Sequence, residues 1–488
     1  MGDLALHFTL PAGVSRRALL EALRAAPAIV DAVIAEHVGV VTFADPARRD
    51  EAEEAVRSSL ARGASGAGAA PPRRHRVEVV YDGEDLDEVG RQVGLGRARV
   101  IELHAAAEYE VAMLGFLPGF AYLRGLPEPL VLPRRASPRP RVPPGSLAMA
   151  AEYTGIYPFA SPGGWHLLGR ARPGDAFSAG SGARLALGDA VSFVPVEALG
   201  EEASSAREHA RAAPDLVVQK ALGPALVVDG GRAGRMHEGV PAGGPLVRPA
   251  LAAANVAVGN GAAAPALEVH GRLELVARSA VRLADDAGRV AALAPGDAFE
   301  VAPGGRSRCV YLAVEGGLDV PRVLGGAGTL LVAGLGGLEG RPLRKGDVLA
   351  VRSAPRSEDV VAGVMWRPAS AATLAAEEEI VVIPGPDLDA TALEALAAAP
   401  FRVSATSDRT GTRLEGPPLP AEPTGTRRAS TPMVEGAIER TPSGLIVLGP
   451  DHPTTGGYPV VGVVAARSRA AFFARPVFAP VRFRIASP

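Results

Sequence analysis

The stretch Gly188-Asp189-Ala190-Val191-Ser192-Phe193-Val194-Pro195-Val196 decides the fold class of the first half of this chain. A Gly-Asp pair, which favours a tight turn, is followed there by an alternating apolar strand. The stretch closes a series of short apolar segments that Pro and Gly interrupt from residue 76 onward. Short strands separated by turn residues are typical of sandwiches and barrels. The sequence therefore predicts an all-β barrel over residues 76–197, with one helix near Asp85 to Val93.

The same phrase recurs twice in the second half, as Pro295-Gly296-Asp297-Ala298-Phe299-Glu300-Val301 and as Lys345-Gly346-Asp347-Val348-Leu349-Ala350-Val351. Many short strand-like segments surround both copies. We therefore expect two barrel-like units, over residues 216–375 and 376–488. A tight turn with a positive φ at Gly explains the phrase by itself, so the repeat leaves the duplication of one barrel open.

A small α+β domain is expected over residues 1–75. Ala5 to Leu10 alternates in polarity, Ser15 can cap a helix from Arg16 to Ala26, and Val38 to Phe43 is rich in β-branched residues. This unit ends in a stretch of Gly, Ala and Pro without periodicity, which is typical of a linker.

A second boundary is expected at residues 198–215. This polar, helix-prone segment separates two strand-rich halves, which indicates an exposed connector at a fusion joint.

Charge and hydropathy exclude several kinds of partner. The 488 residues include 51 Lys plus Arg and 53 Asp plus Glu, so the net charge is −2 and nucleic acid is not an expected partner. Apolar runs break well before the length of a membrane span, and the N-terminus lacks the pattern of an export signal. Cys309 is the single cysteine, which excludes an intrachain disulfide and favours the cytoplasm.

No bound cofactor is expected from the sequence motifs. The nine histidines show no metal-ligand spacing, so no metal site is predicted. The glycine-rich run 334–340 lacks the Gly-Lys-Ser/Thr ending of a phosphate loop and a surrounding βαβ pattern. The chain is therefore not expected to bind ATP through a recognisable loop.

Stiff loops with aromatic residues predict a pocket in the first half. Phe116, Phe120 and Tyr122 lie in a Gly- and Pro-rich run, and Arg139 and Arg141 lie in a second Pro-rich run. An apolar floor beside a guanidinium wall suits a small planar carboxylate or amide. A rigid barrel loop with solvated arginines gives the same pattern, so both interpretations stay open.

The next stretch contains Tyr157 and Gly163-Gly164-Trp165-His166. A Gly-Gly pair lets backbone amides approach a ligand closely, as an oxyanion hole requires. His166, or His104 after a helix-like segment, could carry a proton. The alternative for both histidines is a hydrogen-bonded structural role, and a helix C-terminus favours His on dipole grounds alone.

Two polar runs near the C-terminus form a further candidate site. An Asp, two Arg and a Gly-Gly turn could orient a polar substrate, and a salt-bridged hairpin is the alternative. The candidates are Asp408 for catalysis and Arg409, Arg413, Thr454, Thr455 and Tyr458 for substrate binding.

These motifs together resemble the allophanate hydrolase subunit 1 and subunit 2 type proteins, which are also described as 5-oxoprolinase subunits B and C. The runs GFLPGFAYL, PRRASPRPRVPPGS and TGIYPFASPGGWHLLGR are similar to the subunit 1 signature, and GGLDVP, GGLEGRPL, SDRTGTRLEG and TTGGYP are similar to subunit 2. The resemblance covers most of residues 76–460. It implies cyclophilin-like β-barrel domains in both halves, so the expected fold is mainly β with a small α+β N-terminal domain.

The resemblance also implies a function. It suggests ATP-dependent opening of 5-oxoproline, or action on another lactam or ureido substrate, with a separate third subunit as partner. In this interpretation the complex uses the ATP. The implied roles are oxyanion stabilisation, proton transfer and amide orientation, assigned to Gly163 and Gly164 with Arg141, to His104 or His166, and to Asp408 with Arg409.

Two other functions stay open. Kinship with the carboxyltransferase region of urea carboxylase suggests a biotin-dependent carboxyltransferase, with the biotin on a partner because the chain has no Ala-Met-Lys-Met-type acceptor. Some members of the resembled family are instead named as regulators of a sensor histidine kinase. A homo-oligomer is also possible.

The second half departs from the pattern of the resembled family at two places. Subunit 2 proteins usually read Thr-Thr-Val-Gln-Asp-x-Gly-Arg where this chain keeps Asp229 and Arg232, both candidate substrate-binding residues, but not the Thr pair or the Gln. The usual Ser-Gly-Ala-Met-Asp is replaced by Ala242-Gly243-Gly244-Pro245-Leu246, which removes a hydroxyl and a carboxylate. We therefore expect the second half to be altered or weakened in activity.

Overall fold

The computed structural model describes residues 2–65, 71–200, 215–354, 366–398, 400–417 and 430–486. The N-terminal unit consists of β1 (Ala5–Thr9), α1 (Arg16–Arg24), β2 (Asp31–Ile34), β3 (Val38–Thr42) and α2 (Arg49–Ser65). The strands form an antiparallel sheet in the order β1-β3-β2. The Ser15 hydroxyl accepts a hydrogen bond from the Ala18 amide and so caps α1, as predicted. Leu19, Leu20 and Leu23 bury one face of α1 in the core.

The next unit is built on one large sheet. Its elements are β4 (Arg74–Val79), α3 (Leu86–Val93), α4 (Arg97–Ala106), β5 (Glu108–Leu114), β6 (Ala121–Arg124), β7 (Arg139–Val142), β8 (Ser146–Ala150), β9 (Tyr153–Ile156), β10 (Ser161–Gly163), β11 (His166–Arg170), β12 (Phe177–Ser178), β13 (Gly182–Ala183) and β14 (Ala190–Pro195). Seven strands pair in the order β11-β8-β9-β6-β5-β14-β4. The predicted closing strand is β14, which pairs in parallel with β4 and antiparallel with β5. The expectation of a single helix is wrong, because Gly94 ends α3 in the left-handed conformation and Gly96 begins α4 two residues later.

The second half opens with two sheets and one helix, which packs against the five-stranded sheet. Its elements are β15 (Leu216–Leu222), β16 (Ala225–Val228), α5 (Arg248–Ala257), β17 (Ala266–Val269), β18 (Arg272–Ala277), β19 (Val281–Asp285), β20 (Val290–Leu293), β21 (Ala298–Val301), β22 (Val310–Val314) and β23 (Val348–Leu349). The sheet orders are β21-β18-β15-β23 and β16-β17-β22-β19-β20.

The repeated Gly-Asp phrase makes the same turn each time. The three glycines have positive φ values of 81°, 95° and 90°. The carboxylates of Asp189, Asp297 and Asp347 each accept a hydrogen bond from the backbone N–H three residues earlier, at 3.1, 2.8 and 2.7 Å. A local turn thus accounts for the repeat without further assumptions.

The last unit contains a closed barrel. Its elements are α6 (Ala371–Ala375), β24 (Glu379–Pro384), α7 (Ala390–Ala398), β25 (Phe401–Val403), β26 (Gly411–Glu415), β27 (Thr431–Pro432), β28 (Ala437–Thr441), β29 (Gly444–Leu448), β30 (Thr455–Gly456), β31 (Val460–Val464), α8 (Ala466–Ala474) and β32 (Pro480–Ile485). The barrel order is β24-β31-β28-β29-β26-β25-β32. Its first and last strands pair in parallel, as β4 and β14 do.

The prediction of a mainly β chain with a small α+β N-terminal part is confirmed. The predicted bounds of the units stay a prediction, and residues 201–214 of the expected connector lie outside the described residues. Each helix within the described ranges is too short or too polar to span a bilayer. The same ranges hold no cluster of three His, Cys, Asp or Glu arranged to bind a metal ion.

Candidate functional site

The aromatic residues of the predicted first-half pocket pack into one buried cluster. The ring of Phe120 lies 5.0 Å from Tyr122, 5.2 Å from Tyr157 and 5.3 Å from Trp165, between centroids. All four residues are at most 5% exposed. Edge-to-face packing of this kind stabilises a core. The four rings thus form part of the buried core, and the substrate-binding role predicted for them stays a prediction.

The loop that carries Phe116 joins the two halves. The side chain of Thr455 packs directly on Gly115, where any Cβ would overlap it. The Gly119 amide donates to the Glu238 carbonyl at 2.7 Å. Phe116 itself has a positive φ of 66°, a conformation that costs roughly 1–2 kcal/mol in an L-residue. The loop of the first half and the segment around Thr455 are therefore in contact, and they pack closely against each other.

The two arginines predicted to line the pocket differ in their surroundings: Arg139 belongs to an ion-pair network, whereas Arg141 faces solvent. The buried Asp85 carboxylate accepts hydrogen bonds from Arg135, Arg139 and the Leu167 amide, each at 2.7 Å. These bonds fasten the Pro-rich loop to β11. Arg141 is exposed. Arg139 is thus ion-paired and Arg141 faces solvent, and the roles predicted for both stay predictions.

Neither predicted proton carrier lies in an open site. His104 is fully buried on α4, with Nδ1 2.8 Å from the Tyr81 hydroxyl and Nε2 2.9 Å from the Thr154 hydroxyl. Burial lowers the pKa of His104 to about 3, so the ring is neutral near pH 7. His166 is 4% exposed, and its Nε2 donates to the Pro133 carbonyl at 2.9 Å. Both imidazoles are thus buried and hydrogen-bonded, and the proton-transfer role predicted for them stays a prediction.

The Gly-Gly pair has a packing explanation. The Tyr157 hydroxyl lies against Gly163, where a Cβ would stand, and the Gly164 carbonyl accepts the Arg135 amide at 2.9 Å. Both glycines are half-buried. An oxyanion-binding role for their amides stays a prediction.

The polar run before β26 is a closed turn. The Asp408 carboxylate accepts the backbone N–H groups two and three residues later, at 2.8 and 3.0 Å. This bonding is that of a structural Asx turn, and a catalytic role for Asp408 stays a prediction. Arg413 is exposed, Tyr458 is 49% exposed, and Thr454 is fully buried. The structure therefore does not gather these residues into one site.

Arg409 is the centre of a buried ionic network. Its Nε and one terminal nitrogen donate to Asp451 at 2.8 and 3.0 Å, and the other terminal nitrogen donates to Glu268 at 2.7 Å. It also donates to the Gly244 carbonyl at 2.6 Å. Burial alone would raise the pKa of Glu268, but the Arg409 charge and a hydrogen bond from His270 hold it well below its usual range. Arg409 therefore supports the 242–246 segment and contacts no open space.

Asp229 and Arg232 organise a neighbouring loop. Asp229 accepts the Ala327 amide at 2.6 Å and the Gly328 amide at 3.1 Å. Arg232, 2% exposed, donates to the carbonyls of Val323 at 2.9 Å and Gly328 at 2.6 Å. Backbone groups thus bond both Asp229 carboxylate oxygens and the Nε and one terminal nitrogen of Arg232, and the substrate-binding role predicted for the two residues stays a prediction.

An open cavity lies between the N-terminal unit and the second half. Its volume is about 430 Å³, within the range of small-molecule sites. None of the residues that the sequence analysis assigned to catalysis or substrate binding lines it. The polar and aromatic lining residues are Asp31, Thr42, Phe43, Arg248, Trp366, Arg367, Glu435, His452 and Arg469.

The charges of the cavity are only partly paired. Arg248 makes a bidentate ion pair with Glu435, at 3.2 and 2.6 Å. Arg469, on α8, donates from Nε to the Val464 carbonyl at 3.2 Å. Burial lowers the pKa of His452, whose Nδ1 lies 2.8 Å from the Pro453 carbonyl. A small anion can therefore be received by cationic groups beside a neutral imidazole.

Asp31 connects the two halves at the rim of the cavity. Its carboxylate accepts the Gly234 amide at 2.8 Å and the Met236 amide at 2.9 Å. Burial raises its pKa to about 6, against the opposing effect of these two bonds. The contact ties β2 to the second half.

Sequence signals for this cavity exist at two places. Ala242 and Leu246, two of the positions that depart from the family pattern, both line it. His452 stands two residues before the Thr454 motif. For Arg248 and Glu435 no local signal exists, because 187 positions separate the two partners.

Comparison with known proteins identifies relatives for both halves of the chain. Two family models match: "Carboxyltransferase domain, subdomain C and D" over residues 3–178, and "Carboxyltransferase domain, subdomain A and B" over residues 238–485. The C subunit of 5-oxoprolinase from Escherichia coli K12 is 33% identical over 279 residues, which cover 53% of this chain and 86% of that protein. The B subunit of 5-oxoprolinase from Escherichia coli O157:H7 is 46% identical over 127 residues, 24% of this chain and 56% of that protein.

The matches to three B subunits span about half of their length, from 40% to 56%. The crystal structure of TTHA0988 has a TM-score of 0.81 at 34% identity, covering 98% of this chain and 99% of that one. These matches confirm the resemblance found in the sequence. The chain belongs to the carboxyltransferase-domain family and joins, in one polypeptide, two halves that are related in turn to 5-oxoprolinase subunits B and C.

Proposed function

We propose that this chain is the fused B–C component of a 5-oxoprolinase and opens 5-oxoproline to glutamate together with a separate, ATP-using third subunit. In the reaction the ring C–N amide bond breaks, water adds across it, and ATP is hydrolysed to ADP and phosphate. One observation carries the proposal: relatives of two differently named subunits of one enzyme occur in a single chain.

A third subunit is part of the proposal for two reasons. The relatives carry the names of subunits B and C, which belong to a multi-subunit enzyme. The glycine-rich run 334–340 also lacks the Lys and Ser/Thr that hold phosphates. We place the activity in the cytoplasm, because thiols such as that of Cys309 stay reduced there.

Phosphate release tests this proposal. The purified chain should release no phosphate from ATP, with or without 5-oxoproline. Adding the third subunit should produce phosphate release that 5-oxoproline stimulates. Stimulated release by this chain alone, or no stimulation in the mixture, would contradict the proposal.

A biotin-dependent carboxyltransferase is the second candidate. Both family models are named for carboxyltransferase domains, and urea amidolyase of Lachancea kluyveri is 28% identical over 269 residues, 48% of this chain and 15% of that protein. This function needs carboxybiotin on a partner. Transfer of labelled carboxylate from a carboxybiotinyl carrier to urea, without 5-oxoproline turnover, would select it.

A further inference from the structure

We propose that the cavity between the N-terminal unit and the second half binds a small lactam carboxylate, with Arg469 holding the carboxylate and His452 accepting the ring N–H. The assignment of 5-oxoproline as that ligand rests on the proposed function. The two contacts themselves rest on the geometry of the cavity.

Of the two half-buried arginines that line the cavity, Arg469 is the one with free terminal nitrogens in the described part of the chain, with the charges of Glu435 and Asp3 nearby; the third arginine of the lining, Arg367, is exposed. The Nε of Arg469 is used by the Val464 carbonyl, and within the described part of the chain no acceptor is bonded to its two terminal nitrogens. Arg248, in the same cavity, is already held by both carboxylate oxygens of Glu435. That pairing also neutralises Glu435, so its charge does not repel an incoming carboxylate. A carboxylate at Arg469 gains a charge-assisted hydrogen bond that a neutral ligand cannot make.

His452 presents a fixed acceptor. A carbonyl oxygen only accepts hydrogen bonds, so the short Nδ1 contact with Pro453 requires the proton on Nδ1. In a neutral ring Nε2 is then an acceptor. Burial keeps the ring neutral by lowering its pKa, with Glu435 opposing and Arg469 reinforcing that effect. A lactam N–H is the complementary donor, whereas a protonated histidine would repel it.

The remaining lining suits a small ring. Trp366, Leu246 and Ala242 supply apolar surface around the two polar contacts. A five-membered lactam with one carboxylate offers CH₂ groups to this surface while its polar atoms meet the two side chains. Sites of this kind combine a mostly apolar lining with a few placed polar groups.

Calorimetric titration of the isolated full-length chain, without ATP or a third subunit, tests the proposal from the ligand side. We expect 5-oxoproline to bind at least 10-fold more tightly than 2-pyrrolidinone, which lacks the carboxylate, and than N-methyl-5-oxoproline, which lacks the N–H donor. These comparisons need no protein variant, so they do not depend on whether a variant folds. Equal affinities for the three compounds would overturn the proposal.

Matched variants test it from the protein side. Arg469→Met should weaken 5-oxoproline binding about 10- to 100-fold, the range for a lost charged hydrogen bond, and leave 2-pyrrolidinone unchanged. Arg467→Met removes an exposed arginine from the same helix and should leave 5-oxoproline binding unchanged. His452→Gln keeps an acceptor and should retain discrimination against the N-methyl compound, which His452→Phe should lose. An unchanged affinity in a folded Arg469→Met variant overturns the proposal.

Failure of this inference and failure of the proposed function are distinguishable. If the isolated chain does not bind 5-oxoproline but the mixture with the third subunit forms glutamate, the cavity assignment is wrong and the function stands. If the chain binds with the expected dependence on carboxylate and N–H but the mixture forms no glutamate, the assignment stands and the function is wrong.

Discussion

Replacing Arg409 with Met separates a structural role from a substrate-orienting one. Arg409 donates four hydrogen bonds of 2.6–3.0 Å, three of them to the carboxylates of Glu268 and Asp451. The three side chains are 5%, 0% and 4% exposed, so solvent cannot replace the lost charge. Removing one partner of such a buried network costs about 3–5 kcal/mol of unfolding free energy. A domain of about 150–250 residues loses about 2–4 °C of melting temperature per kcal/mol, so the melting temperature should fall by roughly 6–20 °C.

The loss of stability in Arg409→Met should be smaller at low pH than at neutral pH. In the native chain Arg409 holds the pKa of Glu268 below its ordinary value, so this carboxylate contributes stability above about pH 4.5 that is lost as pH falls through the lower folded pKa. Without Arg409, burial raises the pKa of Glu268 above its unfolded value. The variant then gains stability from protonation at low pH and loses it as pH rises. The difference in melting temperature between the two proteins should therefore shrink from pH 7 to pH 4.

Differential scanning calorimetry of Arg409→Met beside Arg413→Met measures this effect. Arg413 is exposed and lies four residues later in the same run, so it is a matched control that should melt within about 2 °C of the native chain. A small melting loss in Arg409→Met, combined with a large loss of glutamate formation by the reconstituted complex, would show that Arg409 acts on the substrate. The description of a closed, structural network would then be wrong.

Three further predictions concern other buried groups. The pKa of Asp31 is raised from 3.8 to about 6, because the folded state holds the proton more tightly. The free energy of unfolding in urea should therefore fall by about 2 kcal/mol as pH rises from 4 to 6, and Asp31→Asn should remove this dependence. Gly115→Ala should cost about 1–3 kcal/mol, read as a lower melting temperature, because the new methyl overlaps Thr455, and Thr455→Ala in the same chain should partly restore it. Cys309, fully buried with a raised pKa, should react with a chromogenic disulfide reagent only after unfolding; prompt reaction of the native chain would contradict its burial.

Local chemistry explains what the sequence predicted well. The Gly-Asp turns need only a positive φ at Gly and a carboxylate that bonds three residues back, so the strands that follow them could be located. Ser15 capped its helix for the same local reason. The helix-like segment before His104 is part of α4, but the expectation of one helix in this unit ended at Val93, where Gly94 and Gly96 break the helical pattern.

The cavity could not be predicted in this way, because distant segments form it. Phe120 and Arg409 lie in sequence motifs of unusual composition. In the structure, Phe120 belongs to a buried hydrophobic cluster and Arg409 is the centre of a buried ionic network. The cavity's own polar groups come from elements far apart in the chain, such as Asp31 on β2 and Arg469 on α8. Only tertiary contacts bring them together. Family resemblance therefore identified the relatives, whereas geometry was needed to locate the open site.

We propose that this one chain does the work of two 5-oxoprolinase subunits. The most direct measurement follows ¹³C-labelled 5-oxoproline by NMR in a mixture of this chain, a third 5-oxoprolinase subunit and ATP, with the separate subunits B and C both absent. We expect labelled glutamate to form in the full mixture and not when either protein is left out. No glutamate in the full mixture, with activity restored by adding separate subunits B and C, would contradict it.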